Sequence, residues 1–181
     1  MPIPKPATAA TTALLTASLA GAGLAGASPA SAAEAAGYHC TTSSKSIDDP
    51  GYSGPWADNW DIKVKLCAKR SGSHVRTIAK VAWDGPVYAN GTRVFDGANF
   101  RLQAKKSTSG TDPVVKGGTF RGIKSKLERS DSNGNHNGRY STGSVTAKIS
   151  GKGRADGKLR LNWNNDGRDY RSYFYAASPR V

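Results

Sequence analysis

The segment Lys158-Leu159-Arg160-Leu161-Asn162-Trp163-Asn164-Asn165-Asp166-Gly167-Arg168-Asp169-Tyr170-Arg171-Ser172-Tyr173-Phe174-Tyr175 decides the fold. Apolar and polar residues alternate on both sides of Asp166-Gly167, a dipeptide suited to the positive φ angles of a two-residue hairpin turn. Such a turn sets Trp163 opposite Tyr170, Leu161 opposite Ser172 and Leu159 opposite Phe174 on an apolar inner side. The outer side then pairs Asn162 with Arg171, Arg160 with Tyr173 and Lys158 with Tyr175. A three-residue loop would instead turn Asp169 and Arg171 toward the core, where unpaired charge is costly, so the two-residue turn is the expectation.

Working outward, the same period of two recurs. Ile62, Val64, Leu66 and Ala68 share one face, with Lys63, Lys65, Cys67 and Lys69 on the other. Beyond Ser71-Gly72, Val75, Thr77, Ala79, Val81 and Trp83 alternate with Arg76, Ile78, Lys80 and Ala82. Asn90-Gly91 predicts a hairpin that leads from Val87 and Tyr88 back through Val94 and Phe95. Phe100, Leu102 and Ala104 alternate with Arg101, Gln103 and Lys105. Phe120, Ile123 and Leu127 predict another strand with a bulge at Gly122, and Val145, Ala147 and Ile149 one more after the polar turn from Ser130 to Gly138. Helical periodicity and internal repeats are lacking. The expected fold is all-β, a single antiparallel β-sandwich or partly open β-barrel of about eight short strands.

Residues 1–32 read as a signal peptide: a polar start with Lys5, an Ala/Leu/Gly/Thr stretch, and Ala30-Ser31-Ala32 as a small-x-small cleavage site. Gly21, Gly23 and Gly26 interrupt that stretch, which argues against a membrane anchor, and no later segment is apolar enough to span a bilayer. An irregular N-terminal arm is expected over 33–60 and the β domain over 61–181. Export would deliver Cys40 and Cys67 to a compartment where their disulfide persists, stapling the arm across the outer side of the sheet that holds Cys67. The expected location is secreted, extracellular or cell-wall associated. Removing 1–32 takes one of the 26 Lys and Arg residues and none of the 13 Asp and Glu, so the net charge falls only from +13 to +12. A field of that sign attracts polyanions without defining a site.

Chemistry-bearing motifs are scarce, and no catalytic, metal or cofactor site is expected. Asp131, Asn133, Asn135 and Asn137 alternate like a calcium loop, but His136 and Thr142 hold the places of the turn Gly and the bidentate Glu. The chain has no Gly-x-Ser-x-Gly elbow, His-Glu-x-x-His or phosphate loop. A secreted ribonuclease built on Glu128 with His74 or His136 is the enzymatic alternative. An inhibitor or structural protein acting through protein contacts is another. Pro55-Trp56-Ala57-Asp58-Asn59-Trp60 reads either as a sugar platform or, preferably, as an aromatic cap on the core. What stands above background is basic surface. Lys158, Arg160 and Arg171 interleave with Tyr173 and Tyr175 on the outer side of the last hairpin, while Lys63, Lys65 and Lys69 form a second row. Cations beside aromatic rings suit a phosphate backbone or an acidic polysaccharide. The expected function is non-enzymatic binding of an extracellular anionic polymer (cell-wall polymer, acidic polysaccharide or nucleic acid) through those five residues.

Overall fold

Each long alternating run becomes a long strand. A computed structural model describes residues 37–130, 133, 135, 138–164 and 166–181. The expected signal peptide and most of the 131–137 turn, His136 included, lie outside them. In chain order the strands are β1 (His39–Ile47), β2 (Trp60–Ser71), β3 (His74–Asp84), β4 (Phe95–Lys106), β5 (Val114–Phe120), β6 (Gly138–Ser141), β7 (Val145–Lys148), β8 (Gly153–Trp163) and β9 (Arg171–Phe174). They form two antiparallel sheets. The first runs β1-β2-β3, with β6 and β7 pairing in succession along the far edge of β3, and the second runs β5-β4-β8-β9. The sheets stack face to face without closing into a barrel, which fits the expected all-β antiparallel sandwich or partly open barrel.

Inward residues of β2, β3, β4 and β8 fill the space between the sheets. Trp60, Trp83, Trp163, Phe95 and Phe100 are among the largest fully buried side chains. Trp60 and Trp163 lie tilted on either side of Phe95, with ring centroids 5.3 and 4.8 Å from it. Burying side chains of this size stabilises by roughly 1.5–3 kcal/mol each, which makes this layer the main cohesive element. The close packing requires Gly157 in β8: a Cβ there would meet Phe100 at 2.8 Å and Leu66 at 3.1 Å. Some polar groups in the layer are paired locally, whereas Trp60 Nε1 and Trp163 Nε1 have no hydrogen-bond partner among the described residues. Trp83 Nε1 donates to Ser130 Oγ (2.7 Å), and Thr142 Oγ1 accepts from the Ala79 amide (2.9 Å) where β6 gives way to β7.

Four expectations are corrected. Residues 39–47 of the supposedly irregular arm form β1, paired with β2 at every position from His39 opposite Ala68 to Ile47 opposite Trp60. As an edge strand it has Ser, Thr and Lys where a central strand would alternate, so periodicity did not mark it. The disulfide forms as expected, joining Cys40 to the directly opposite Cys67. Closing that loop stabilises by about 3–4 kcal/mol on the chain-entropy model.

Asn90-Gly91 closes no hairpin. Val87–Ala89 is a single 3₁₀ turn, Asn90 has φ −67°, and only Gly91 is left-handed at φ +76°. The turn is held because Tyr88 stacks on Tyr52 (centroids 4.2 Å apart) and donates to Asp49 (2.8 Å). Ile123 and Leu127 belong to no strand either. Their i,i+4 spacing puts both on the buried side of one helical turn, α1 (Lys124–Leu127).

The fourth correction is the register of the last hairpin. Lys158 pairs with Phe174, Leu159 with Tyr173, Arg160 with Ser172 and Leu161 with Arg171, one residue away from the two-residue-turn register. Asp166 supplies the reason: its carboxylate, 4% exposed, accepts from the Arg171 guanidinium at 3.2 Å. The loop thus provides a counter-charge for the inward arginine, and the desolvation argument against that register no longer holds.

Candidate anion-binding face

A one-residue slip exchanges the two faces of a strand. Lys158 and Arg160 point outward from β8 as expected, but Arg171, Tyr173 and Tyr175 do not join them. Arg171 and Tyr173 pair with the inward Leu161 and Leu159, and Tyr175 is buried, its phenol pushed up by desolvation. The five residues expected on one exposed surface therefore divide between two.

In exchange, the slip brings the residues assigned to the core out to water. Phe174 is 60% exposed, and Lys158 Nζ sits 4.9 Å from its ring centroid. Tyr170 lies beneath Arg160, whose guanidinium carbon is 4.5 Å from the ring centroid. Gly97 of β4 makes room for that ring, since a Cβ there would lie 2.1 Å from the Tyr170 hydroxyl. The alternation of cation and aromatic thus survives with different aromatics.

The adjacent strand adds a residue that the hairpin alone could not reveal. Arg101 of β4 is exposed and lies directly opposite Lys158, a like-charge pair that costs stability. Among the described residues, Arg101, Lys158 and Arg160 have no acidic partner within ion-pair distance. Further along the same face the cations are neutralised. Lys105 pairs with Asp156, and Arg154 Nε lies 2.6 Å from Asp112 Oδ2. The hydrogen bond from the Thr108 amide, aided by Arg154, holds the Asp112 carboxyl below its usual range. Arg101, Lys158 and Arg160 thus stand unneutralised among the described residues at the end that carries the rings.

The second row also stands on one surface, the outer face of the first sheet. There Lys65 lies opposite Lys80, and Lys69 opposite Arg76. Lys69 Nζ sits 4.8 Å from the Tyr38 ring centroid at the margin of this face. The disulfide and Ile78 occupy its middle.

Of the enzymatic alternative's two pairs only Glu128 with His74 falls within the described residues, and these two are far apart. His74 begins β3, whereas Glu128 lies near its other end, about 30 Å along an extended strand. Both Glu128 oxygens accept from Lys124 Nζ at 2.9 Å, and one also accepts the Phe95 amide. The aromatic pair near residue 58 splits as well, Trp60 sealed in the core and Trp56 73% exposed. No helix among the described residues is long and apolar enough to cross a membrane, and no three His, Cys, Asp or Glu residues among them gather as metal ligands. No family model, curated protein or solved structure matches the chain.

Proposed function

We propose that the domain is a non-enzymatic extracellular module that binds an anionic polymer through the outer face of β4, β8 and β9. The observation that carries this reading is that Arg101, Lys158 and Arg160 lie together without acidic partners while Phe174 and Tyr170 line the same surface. Further along the same two strands the like-charge pair Lys105 and Arg154 is neutralised by Asp156 and Asp112, whereas Arg101 and Lys158 have no such acids among the described residues. The cations neutralise phosphate, sulfate or carboxylate groups, and the rings pack against the bases or sugars between them. A disulfide-closed domain with strongly basic composition suits a cell-wall polymer, an acidic polysaccharide or a nucleic acid outside the cell.

The test is retention on immobilised dextran sulfate and on single-stranded nucleic acid. Lys158→Glu with Arg160→Glu should abolish retention at about 0.15 M salt with the fold unchanged by circular dichroism. Lys63→Glu with Arg76→Glu changes the net charge equally on the opposite face and serves as the control. Equal losses from both variants would leave only the general field and no site.

A further inference from the structure

At one end of the sandwich a cleft of about 450 Å³ opens between the 48–59 loop and the turn after β3. Its walls are Trp56 and Val87, 73% and 70% exposed, with Pro86 beside them. Asp61 and Asp84 line it from the ends of β2 and β3, directly opposite each other in the strand register. Neither carboxylate has a hydrogen bond or ion pair among the described residues, and Asp84 Oδ1 is out of contact with water. Asn59 is held in place as its amide donates to Asp48 (2.6 Å) and Ser46 (3.2 Å).

We propose that this cleft binds an uncharged pyranose unit of a polysaccharide, with the sugar ring stacked on Trp56 and its hydroxyls donating to Asp61 and Asp84. The chemistry selects the occupant. Carboxylate oxygens are hydrogen-bond acceptors, so a matching ligand brings donors. An exposed indole and an aliphatic wall require a flat apolar surface on the same ligand. A pyranose offers both, C–H groups on its face and hydroxyls around its edge. The carboxylates repel phosphate and sulfate, so this site is separate from the anionic-polymer face and does not depend on that reading. The volume falls within the range of small-ligand pockets.

The protein contains its own reporter. Trp60, Trp83 and Trp163 are buried, so a ligand that changes tryptophan emission without unfolding the domain acts on Trp56. Titration with cellohexaose and with the hexamer of N-acetylglucosamine should give a saturable change with at least one of them, unaffected by about 0.5 M salt because neither sugar is charged. Trp56→Ala should weaken binding about tenfold or more, measured by calorimetry, and Asp61→Asn several-fold, while Trp56→Phe retains part of it. Absence of binding to both sugars would overturn the proposal. So would undiminished affinity in Trp56→Ala.

Discussion

The two outer faces of the sandwich both carry cations, but on different supports. On the first sheet, Lys65 meets Lys80 and Lys69 meets Arg76 across β2 and β3, with Lys63 on the same face, around a disulfide and an aliphatic side chain and with one ring, Tyr38, under Lys69 at the margin. On the second, Arg101, Lys158 and Arg160 are fewer, yet two of them lie over rings that share the surface. The difference separates field from site. Charge alone attracts any polyanion and loses it as salt rises, whereas ring contacts add attraction that salt does not screen. A binding role for the second face therefore requires that the faces respond differently to the same perturbation.

The largest expected difference comes from charge reversal. Lys158→Glu with Arg160→Glu should abolish polymer retention at about 0.15 M salt. Lys63→Glu with Arg76→Glu should shift elution to lower salt by an amount set by net charge alone. Elution salt measured for both double variants on the same resin makes the comparison direct.

Removing the rings is the next step down. Phe174→Ala should weaken binding to single-stranded nucleic acid by about 1–3 kcal/mol, and Tyr170→Ala by a similar amount, if each ring stacks on a base. The dependence of log K on log salt should stay unchanged, because no cation is lost. A slope that falls with either ring would mean that the ring only props up its neighbouring cation.

The legibility of these faces in the sequence divides along physical lines. Central strands bury one face completely, so β2, β3, β4 and β8 announce themselves by alternation, and the outward Lys and Arg residues are read directly from it. Edge strands have less to bury. The Ser- and Thr-rich β1 reads as an irregular arm, and the pattern of β9 points one residue out of register because the Asp166 contact that neutralises Arg171 forms only in the folded loop. Ile123 and Leu127 suit a strand or a helical turn equally well when only a few residues are available. Arg101 lay on the correct side of its own strand, yet its meeting with Lys158 depends on the pairing of β4 with β8, which residues distant in the sequence determine. The kind of surface was therefore legible, and the identity of its aromatic members was not.

A smaller effect comes from the neutralised half of the second face. Asp112→Asn should release Arg154 and extend the cationic patch, raising polymer affinity modestly. Because the Asp112 carboxyl is held below its usual range, its contribution to stability is fully present above the unfolded-state value of about 4 and is lost as pH falls through the folded-state value. Thermal unfolding should show the variant less stable than wild type near neutral pH, with the gap closing in strong acid. A gap independent of pH would place the effect in packing rather than in charge.

The smallest expected effect is also the cleanest contrast, because the same substitution can be made at matching positions. Arg76 lies opposite Lys69 on one face and Arg101 opposite Lys158 on the other, each a like-charge cross-strand pair. Changing either arginine to Glu turns repulsion into attraction and should stabilise the fold by about 0.2–1 kcal/mol, read as a higher denaturant midpoint. The stability gains should be alike, since both positions are exposed and both partners are lysines. The binding losses should differ: Arg76→Glu lowers affinity only through the field, whereas Arg101→Glu removes a contact and sets an acid among Lys158, Arg160 and the incoming polymer. If Arg101→Glu gains stability and binds no worse than Arg76→Glu, the absence of an acid at position 101 needs another cause, and the second face loses its claim to be the binding surface.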